Sequence, residues 1–118
     1  MVDEHFRRRL ASIQTIELTT YGRKSGRPRR IEIWWFHLDG RFIITGTPGR
    51  RDWFANVLSD PRIVVHVDGL DIEATVRPMD DPEFRRRVFT APHIRWYATQ
   101  AELEHLVNAA PMIEVHLP

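Results

Sequence analysis

Two Asp-Gly pairs, Asp39-Gly40 and Asp68-Gly69, each sit between β-branched and aromatic runs, and they restrict the fold more than any other feature of the chain. Asp-Gly supplies the positive φ angles of a two-residue hairpin turn, so each pair joins antiparallel neighbours. The first joins Arg30–Leu38 to Phe42–Thr45, and the second joins Ile63–Val67 to Asp71–Arg77. Ahead of both, Ile16, Leu18 and Thr20 alternate with Thr15, Glu17 and Thr19, the period of a strand with one buried face from Thr15 to Tyr21. Met112 to Leu117 alternates as a closing strand.

Helices fill the connections. Val2, Phe6, Leu10 and Ile13 recur at helical spacing, with Asp3 as N-cap and Arg7, Arg8 and Arg9 on the other face. Asp52 is placed to cap a second helix carrying Trp53, Phe54, Val57 and Leu58, which Asp60-Pro61 stops. Asp81-Pro82-Glu83 starts a third, and Thr99 with Glu102 forms a capping-box pattern ahead of Leu103, Leu106 and Val107. The order is helix, three strands, helix, two strands, two helices and one strand. It predicts one mainly β, α+β domain over residues 1–118, with six strands in an antiparallel sheet or barrel and helices at its periphery. Without βαβ alternation or a G-x-G-x-x-G sequence, a doubly wound nucleotide fold is not expected.

The 118 residues contain no cysteine, which excludes disulfides, thiolate zinc sites and cysteine nucleophiles. His5, His37, His66, His93, His105 and His116 show no metal-binding spacing, and no G-x-S-x-G or Ser-His-Asp pattern is legible. Asp3, Glu4, Arg7, Arg8, Arg9 and Glu17 leave the opening residues without a signal peptide or membrane span, so a cytoplasmic location is expected. Net charge is only +1, but residues 1–51 hold 11 Lys and Arg against 5 Asp and Glu, and residues 52–118 hold 6 against 11. Positive charge collected in one half suits an anionic partner.

Much of that charge lies in Gly22-Arg23-Lys24-Ser25-Gly26-Arg27-Pro28-Arg29-Arg30, between two strands. The segment reads either as a solvated turn or as an anion cradle, where glycines and a serine permit close backbone approach. The second candidate, Thr45-Gly46-Thr47-Pro48-Gly49-Arg50-Arg51-Asp52-Trp53-Phe54-Ala55-Asn56, leaves a strand through a glycine-rich turn and enters a helix. Trp53 and Asn56 lie on nearly one helical face, an aromatic plane beside an amide, and either flank a flat heterocycle or pack in the core. Trp34, Trp35 and Phe36 alternate across a strand, so at least one faces away from its neighbours' side.

At these residues the sequence resembles a known family. Glu17-Leu18-Thr19-Thr20-Tyr21-Gly22-Arg23-Lys24-Ser25-Gly26-Arg27-Pro28-Arg29 is similar to the "LTTxGRKSGxPR" opening of the deazaflavin-dependent nitroreductases and quinone reductases. Gly46-Thr47-Pro48-Gly49, followed by Asp52 to Leu58 and Asp60-Pro61, resembles their glycine turn and "WxxNLxxxP" segment. The resemblance implies a split β-barrel related to flavin reductases and pyridoxamine-phosphate oxidases. It implies that Arg23, Lys24, Ser25 and Arg29 hold the anionic tail of the deazaflavin coenzyme factor 420, while Thr45, Gly46, Thr47, Trp53 and Asn56 flank its ring. Thr47-Pro48 departs from the family's usual turn and removes an N–H donor. Tyr97, beside His93 and Trp96, is the one late tyrosine and the candidate catalytic residue.

The activity implied is hydride transfer from reduced factor 420 to a quinone, nitroaromatic or similar small-molecule electron acceptor, the coenzyme supplying the chemistry and the protein the positioning. FMN is the alternative cofactor, and a non-catalytic module binding flavin or lipid is the alternative function. No metal and no nucleic acid is expected; peripheral membrane contact would come only through a quinone substrate. The chain is expected to be a monomer or homodimer.

Overall fold

The computed structural model describes residues 2–118. Helix α1 (Glu4–Ala11) leads into strands β1 (Thr15–Tyr21), β2 (Pro28–Trp34), β3 (Phe36–Leu38) and β4 (Arg41–Thr45). Helix α2 (Asp52–Ser59), strands β5 (Arg62–Val67) and β6 (Leu70–Pro78), helix α3 (Pro82–Thr90), a 3-10 helix (Pro92–Thr99), helix α4 (Leu103–Ala109) and strand β7 (Met112–His116) follow. Both Asp-Gly turns form as their residue types require: φ is 52° and 75° at Asp39 and Gly40, and 56° and 74° at Asp68 and Gly69.

All strand pairings are antiparallel, in the order β2-β1-β5-β6-β7-β4-β3. The two outermost strands, β2 and β3, are consecutive in the chain. The sheet therefore curls until its edges meet at the one residue between them, Trp35, and the barrel is closed there by covalent continuity instead of a ladder. This gives seven strands where six were expected, because Arg30–Leu38 is not continuous. The Trp35 N–H donates to the Gln14 carbonyl at 2.9 Å and its indole Nε1 to the Ile13 carbonyl at 2.7 Å, so the residue leaves both ladders and turns the chain. The bend also breaks the expected alternation: Trp35 and Phe36 are both buried, while Trp34 is 38% exposed.

One apolar cluster fills the barrel, with Leu10 of α1 packed among Leu18, Trp35, Phe42, Ile44, Val65 and Ile113. A second lies outside β3, β4 and β7, where Phe84, Val88, Ile94, Tyr97 and Leu106 cover Phe36, Ile43 and Met112. Strand β4 is thus buried on both faces, which accounts for its uninterrupted Phe42-Ile43-Ile44 run. The basic face of α1 is spent on the hairpin tips: Arg7 Nη2 donates to the Gly40 carbonyl at 2.9 Å, and Arg9 pairs with Asp68 at 2.5 Å.

Helix boundaries correct two expected caps. Asp52 is the first residue of α2, and Arg51 occupies the cap position without a side-chain capping bond. Thr99 ends the 3-10 helix and gives its hydroxyl to the Trp96 carbonyl, so Glu102 caps α4 without a partner and no capping box forms. The Asp3 and Asp81 carboxylates do cap α1 and α3, accepting from the amides of Phe6 and Glu83. No described helix is long and apolar enough to cross a membrane.

Arg85 of α3 is the buried cation that fastens the helical layer to the sheet. Its Nε, Nη1 and Nη2 donate to the carbonyls of Val107, Met79 and Ala110 at 2.6, 2.7 and 2.5 Å. A buried carbonyl left without a donor costs about 1–3 kcal/mol. Arg85→Met should therefore lower unfolding stability by about 3 kcal/mol or more, measured in urea, even though it keeps the apolar stem. A loss under about 1 kcal/mol would mean that water satisfies those carbonyls.

Candidate functional site

The β1–β2 connection is built to present cations. Gly26 sits at φ 70°, and the turn closes through Gly22 N–H to the Arg27 carbonyl at 2.9 Å and Gly26 N–H to the Gly22 carbonyl at 2.8 Å. Ser25 Oγ accepts the Arg27 amide at 3.1 Å. In the β1–β2 register Thr20 stands opposite Arg29, and alternation turns both toward the face over which α2 lies.

Asn56 of α2 locks this turn from above. Its Oδ1 accepts the Arg23 amide at 3.2 Å and Arg23 Nη1 at 3.0 Å, while its Nδ2 donates to Thr20 Oγ1 at 3.2 Å. Buried side-chain amides need such partners, and here one amide fixes backbone and guanidinium together. Arg23 Nη2 also lies 3.4 Å from Asp52 Oδ1. Lys24, Arg27 and Arg29 have no acidic partner among the described residues.

The result is a cavity of about 490 Å³ between the turn and α2. Arg23, Lys24, Ser25, Arg29, Trp53 and Asn56 all line it, with Thr20, Gly22 and Asp52 among the other walls. Two residues assigned by resemblance to a ring, Trp53 and Asn56, therefore share a cavity with the four assigned to a tail. Trp53 also packs edge-on against Phe54 at 5.7 Å and belongs to the barrel core, so it is both wall and core.

Thr45, Gly46 and Thr47 do not line that cavity. Thr45 Oγ1 donates to the Pro111 carbonyl at 2.6 Å, and the Gly46 amide donates to the same oxygen at 3.2 Å. Arg51 folds back over the turn, giving Nη2 to the carbonyl and hydroxyl of Thr47 at 3.0 and 2.6 Å. Beyond it lies Tyr97, whose hydroxyl donates to the Thr45 carbonyl at 3.4 Å and whose ring meets Trp96, Phe36 and Phe89. Burial pushes the Tyr97 phenol above its usual value, and the nearby Arg51 charge opposes that shift. The site thus has two adjoining parts, a cationic cavity and a glycine turn roofed by Arg51 beside Tyr97.

Thr20, Asp52 and Arg51 were missed from sequence. The β1 alternation and hairpin register would have found Thr20 opposite Arg29; nothing local marks Arg51, whose donors curl back across a Pro-containing turn.

Residues 3–109 match the family described as F420-H(2)-dependent quinone reductase. Among solved structures the chain resembles an F420-H2 dependent reductase, at 20% identity and a TM-score of 0.64, over 87% of this chain and 94% of that one. It also resembles a conserved hypothetical protein from Mycobacterium tuberculosis, at 18% identity and a TM-score of 0.71, over 99% and 81%. A third likeness is to a general stress protein 26 relative of the pyridoxinephosphate oxidase family from Clostridium acetobutylicum, at 15% and 0.69, over 98% and 86%. At these identities the structural likeness is one of fold, the split barrel.

The Tyr97 environment yields a pH prediction. Because its folded pKa lies above the ordinary value of 10.0, the fold holds that proton more tightly than the unfolded chain does. The contribution is complete below about pH 10 and is lost as pH rises through the folded value. Denaturation series above pH 10 should fall more steeply in the parent than in Tyr97→Phe; parallel curves would mean that the phenol is solvated.

Proposed function

Since the chain belongs to the F420-H(2)-dependent quinone reductase family, we propose that the cavity under α2 holds the anionic tail of reduced factor 420 and the adjoining turn flanks its ring. The chain is an F420-dependent reductase, and its acceptor is a small molecule. The finer assignment rests on one observation: Lys24 and Arg29, without acidic partners among the described residues, converge with Gly22 and Ser25 on a cavity walled by a tryptophan. That donor set fits a phosphate- and carboxylate-bearing tail, because unpaired guanidinium and ammonium groups bind such anions by charge-assisted hydrogen bonds.

The coenzyme, when bound, supplies a hydride to an electron-poor acceptor. The protein's own residues bind and orient. Arg29 on β2 and Lys24 in the turn neutralise the tail, and Asn56 keeps the turn in place through Arg23. Thr47 and Arg51 border the ring position, where Arg51 offers the donor that Pro48 lacks. Tyr97, protonated throughout the physiological range because burial raises its pKa, is placed to give a proton to an acceptor that has gained a hydride. Quinones follow from the family, and nitroaromatics fit the same electron-poor, planar class.

Replacing Arg23, Lys24 and Arg29 together by alanine tests the assignment. Each lost charge-assisted bond is worth roughly 1.5–3 kcal/mol, so the dissociation constant for factor 420 should rise at least about a hundredfold while the urea midpoint moves little. The parent should oxidise reduced factor 420 with menadione in stopped flow and should bind FMN more weakly. Unchanged coenzyme affinity in the triple variant would return the turn to a solvated role; FMN binding tighter than factor 420 would overturn the cofactor assignment.

A further inference from the structure

Thr20 faces α2, so its neighbour Thr19 points to the other side of β1. There, three neighbouring strands contribute one hydrogen-bonded chain of side chains. Asp71 Oδ1 on β6 lies 2.7 Å from His66 Nδ1 on β5, and His66 Nε2 lies 2.6 Å from Thr19 Oγ1 on β1. With Thr19 and His66 47 positions apart, no motif spacing could reveal it.

The chemistry of the groups fixes each bond's direction. The Asp71 carboxyl is held below its ordinary pKa by the His66 hydrogen bond, so it is ionised and can only accept. Nδ1 therefore carries a ring proton, and in the neutral imidazole the lone pair is at Nε2, where it accepts the Thr19 hydroxyl proton. A hydroxyl donating to an imidazole that a carboxylate orients from behind is the arrangement that activates an oxygen nucleophile.

Strand pairing alone does not call for this chain, since the β1–β5 and β5–β6 ladders already set the register. All three residues instead border one open cavity of about 780 Å³, whose walls include the apolar side chains of Phe6, Val64 and Ile72. Thr19 itself is 7% exposed, a hydroxyl at the cavity floor. The charged groups facing His66 are Glu17 across from it on β1, Asp71 on β6, Glu73 on β6, which walls the same cavity, and Arg30 on β2, which pairs with Glu17 at 3.0 Å, stands in register with Thr19 and lines the cavity under α2 instead. An activated hydroxyl beside an apolar wall, with carboxylates and no free cation among the described residues lining the cavity, suits a neutral carbonyl compound with a short apolar chain.

We propose that Thr19, His66 and Asp71 form a second site, independent of the coenzyme, at which Thr19 takes an acyl group from a small apolar ester. Thr19 Oγ1 attacks the carbonyl carbon while His66 Nε2 takes the hydroxyl proton. The bond to the leaving oxygen then breaks with its electron pair, and His66 returns the proton to that oxygen as the alcohol or phenol departs. Water, giving a proton to the same nitrogen, hydrolyses the Thr19 ester, releases the carboxylic acid and restores the hydroxyl. Asp71 orients the ring and stabilises its protonated form without taking a proton.

The test uses p-nitrophenyl acetate and butyrate with the full chain and no coenzyme. The parent should release nitrophenol and, when quenched early, carry one acyl group on the peptide containing Thr19. Thr19→Val, which keeps the shape and removes the hydroxyl, and His66→Gln should each lower the rate about a hundredfold, whereas Thr19→Ser should retain it. Thr19→Val should still oxidise reduced factor 420 like the parent, which separates this site from the one under α2. Equal hydrolysis by parent and Thr19→Val, or label found only on lysine, would overturn the proposal. Should Thr19→Val fail to fold, Thr19→Ser and His66→Gln decide it: equal rates in those two would overturn it as well.

Discussion

Closure of the sheet at Trp35 is the constraint on which the other features depend. An antiparallel sheet whose first and last strands are consecutive can curl shut only if the residue between them leaves one ladder and enters the other. Trp35 does so with its amide and indole both donating to the Ile13–Gln14 turn, and its ring lies 4.5 Å from that of Phe42 in the barrel core. Deep burial and two satisfied donors make the bend a defined position and not a flexible one. From it follow the filled interior, the doubly buried β4, and the edge position of β2, whose free side leaves Arg29 and the β1–β2 turn accessible.

The excess positive charge of the first half divides between paired and unpaired cations. Arg7 and Arg9 clamp the two hairpin tips, Arg30 pairs with Glu17 across β1 and β2, and Arg41 lies 3.7 Å from Glu114. Most of these pairs are exposed, and such bridges are worth little individually. Lys24 and Arg29 differ because no carboxylate among the described residues competes for them. Charge asymmetry in the sequence therefore does not by itself mark an anion site, and only the pairing pattern says which cations are left without a carboxylate.

Local chemistry was legible in the sequence, and non-local closure was not. The Asp-Gly turns, the β1 alternation from Thr15 to Tyr21 and the caps Asp3 and Asp81 each depend on a few adjacent residues, and each formed as their physics demands. Trp35 looked like one more strand residue, because the carbonyls it meets belong to a turn 21 and 22 residues away along the chain. Thr99 and Glu102 have capping-box spacing, yet the 3-10 helix claims the Thr99 hydroxyl first. The cationic turn was visible as a motif, whereas its connection to Asn56 and the Thr19–His66–Asp71 chain arise only when the barrel brings distant strands together.

Two adjacent threonines of β1, Thr19 and Thr20, face opposite sides of the sheet. Thr20 accepts from the Asn56 amide on the α2 side, and Thr19 hydrogen-bonds the His66 ring on the other. Both threonines rest on paired strands of the barrel, so their side chains are held without the ordering cost that a mobile loop would pay. For the cationic cavity this matters most at Arg23, whose backbone amide and guanidinium converge on one Asn56 oxygen. With the turn already held there, the proposed anion need order only the ends of Lys24 and Arg29. Arg29 extends from a paired strand residue and Lys24 from the turn, so of the two proposed ligands Arg29 starts from the more rigid backbone.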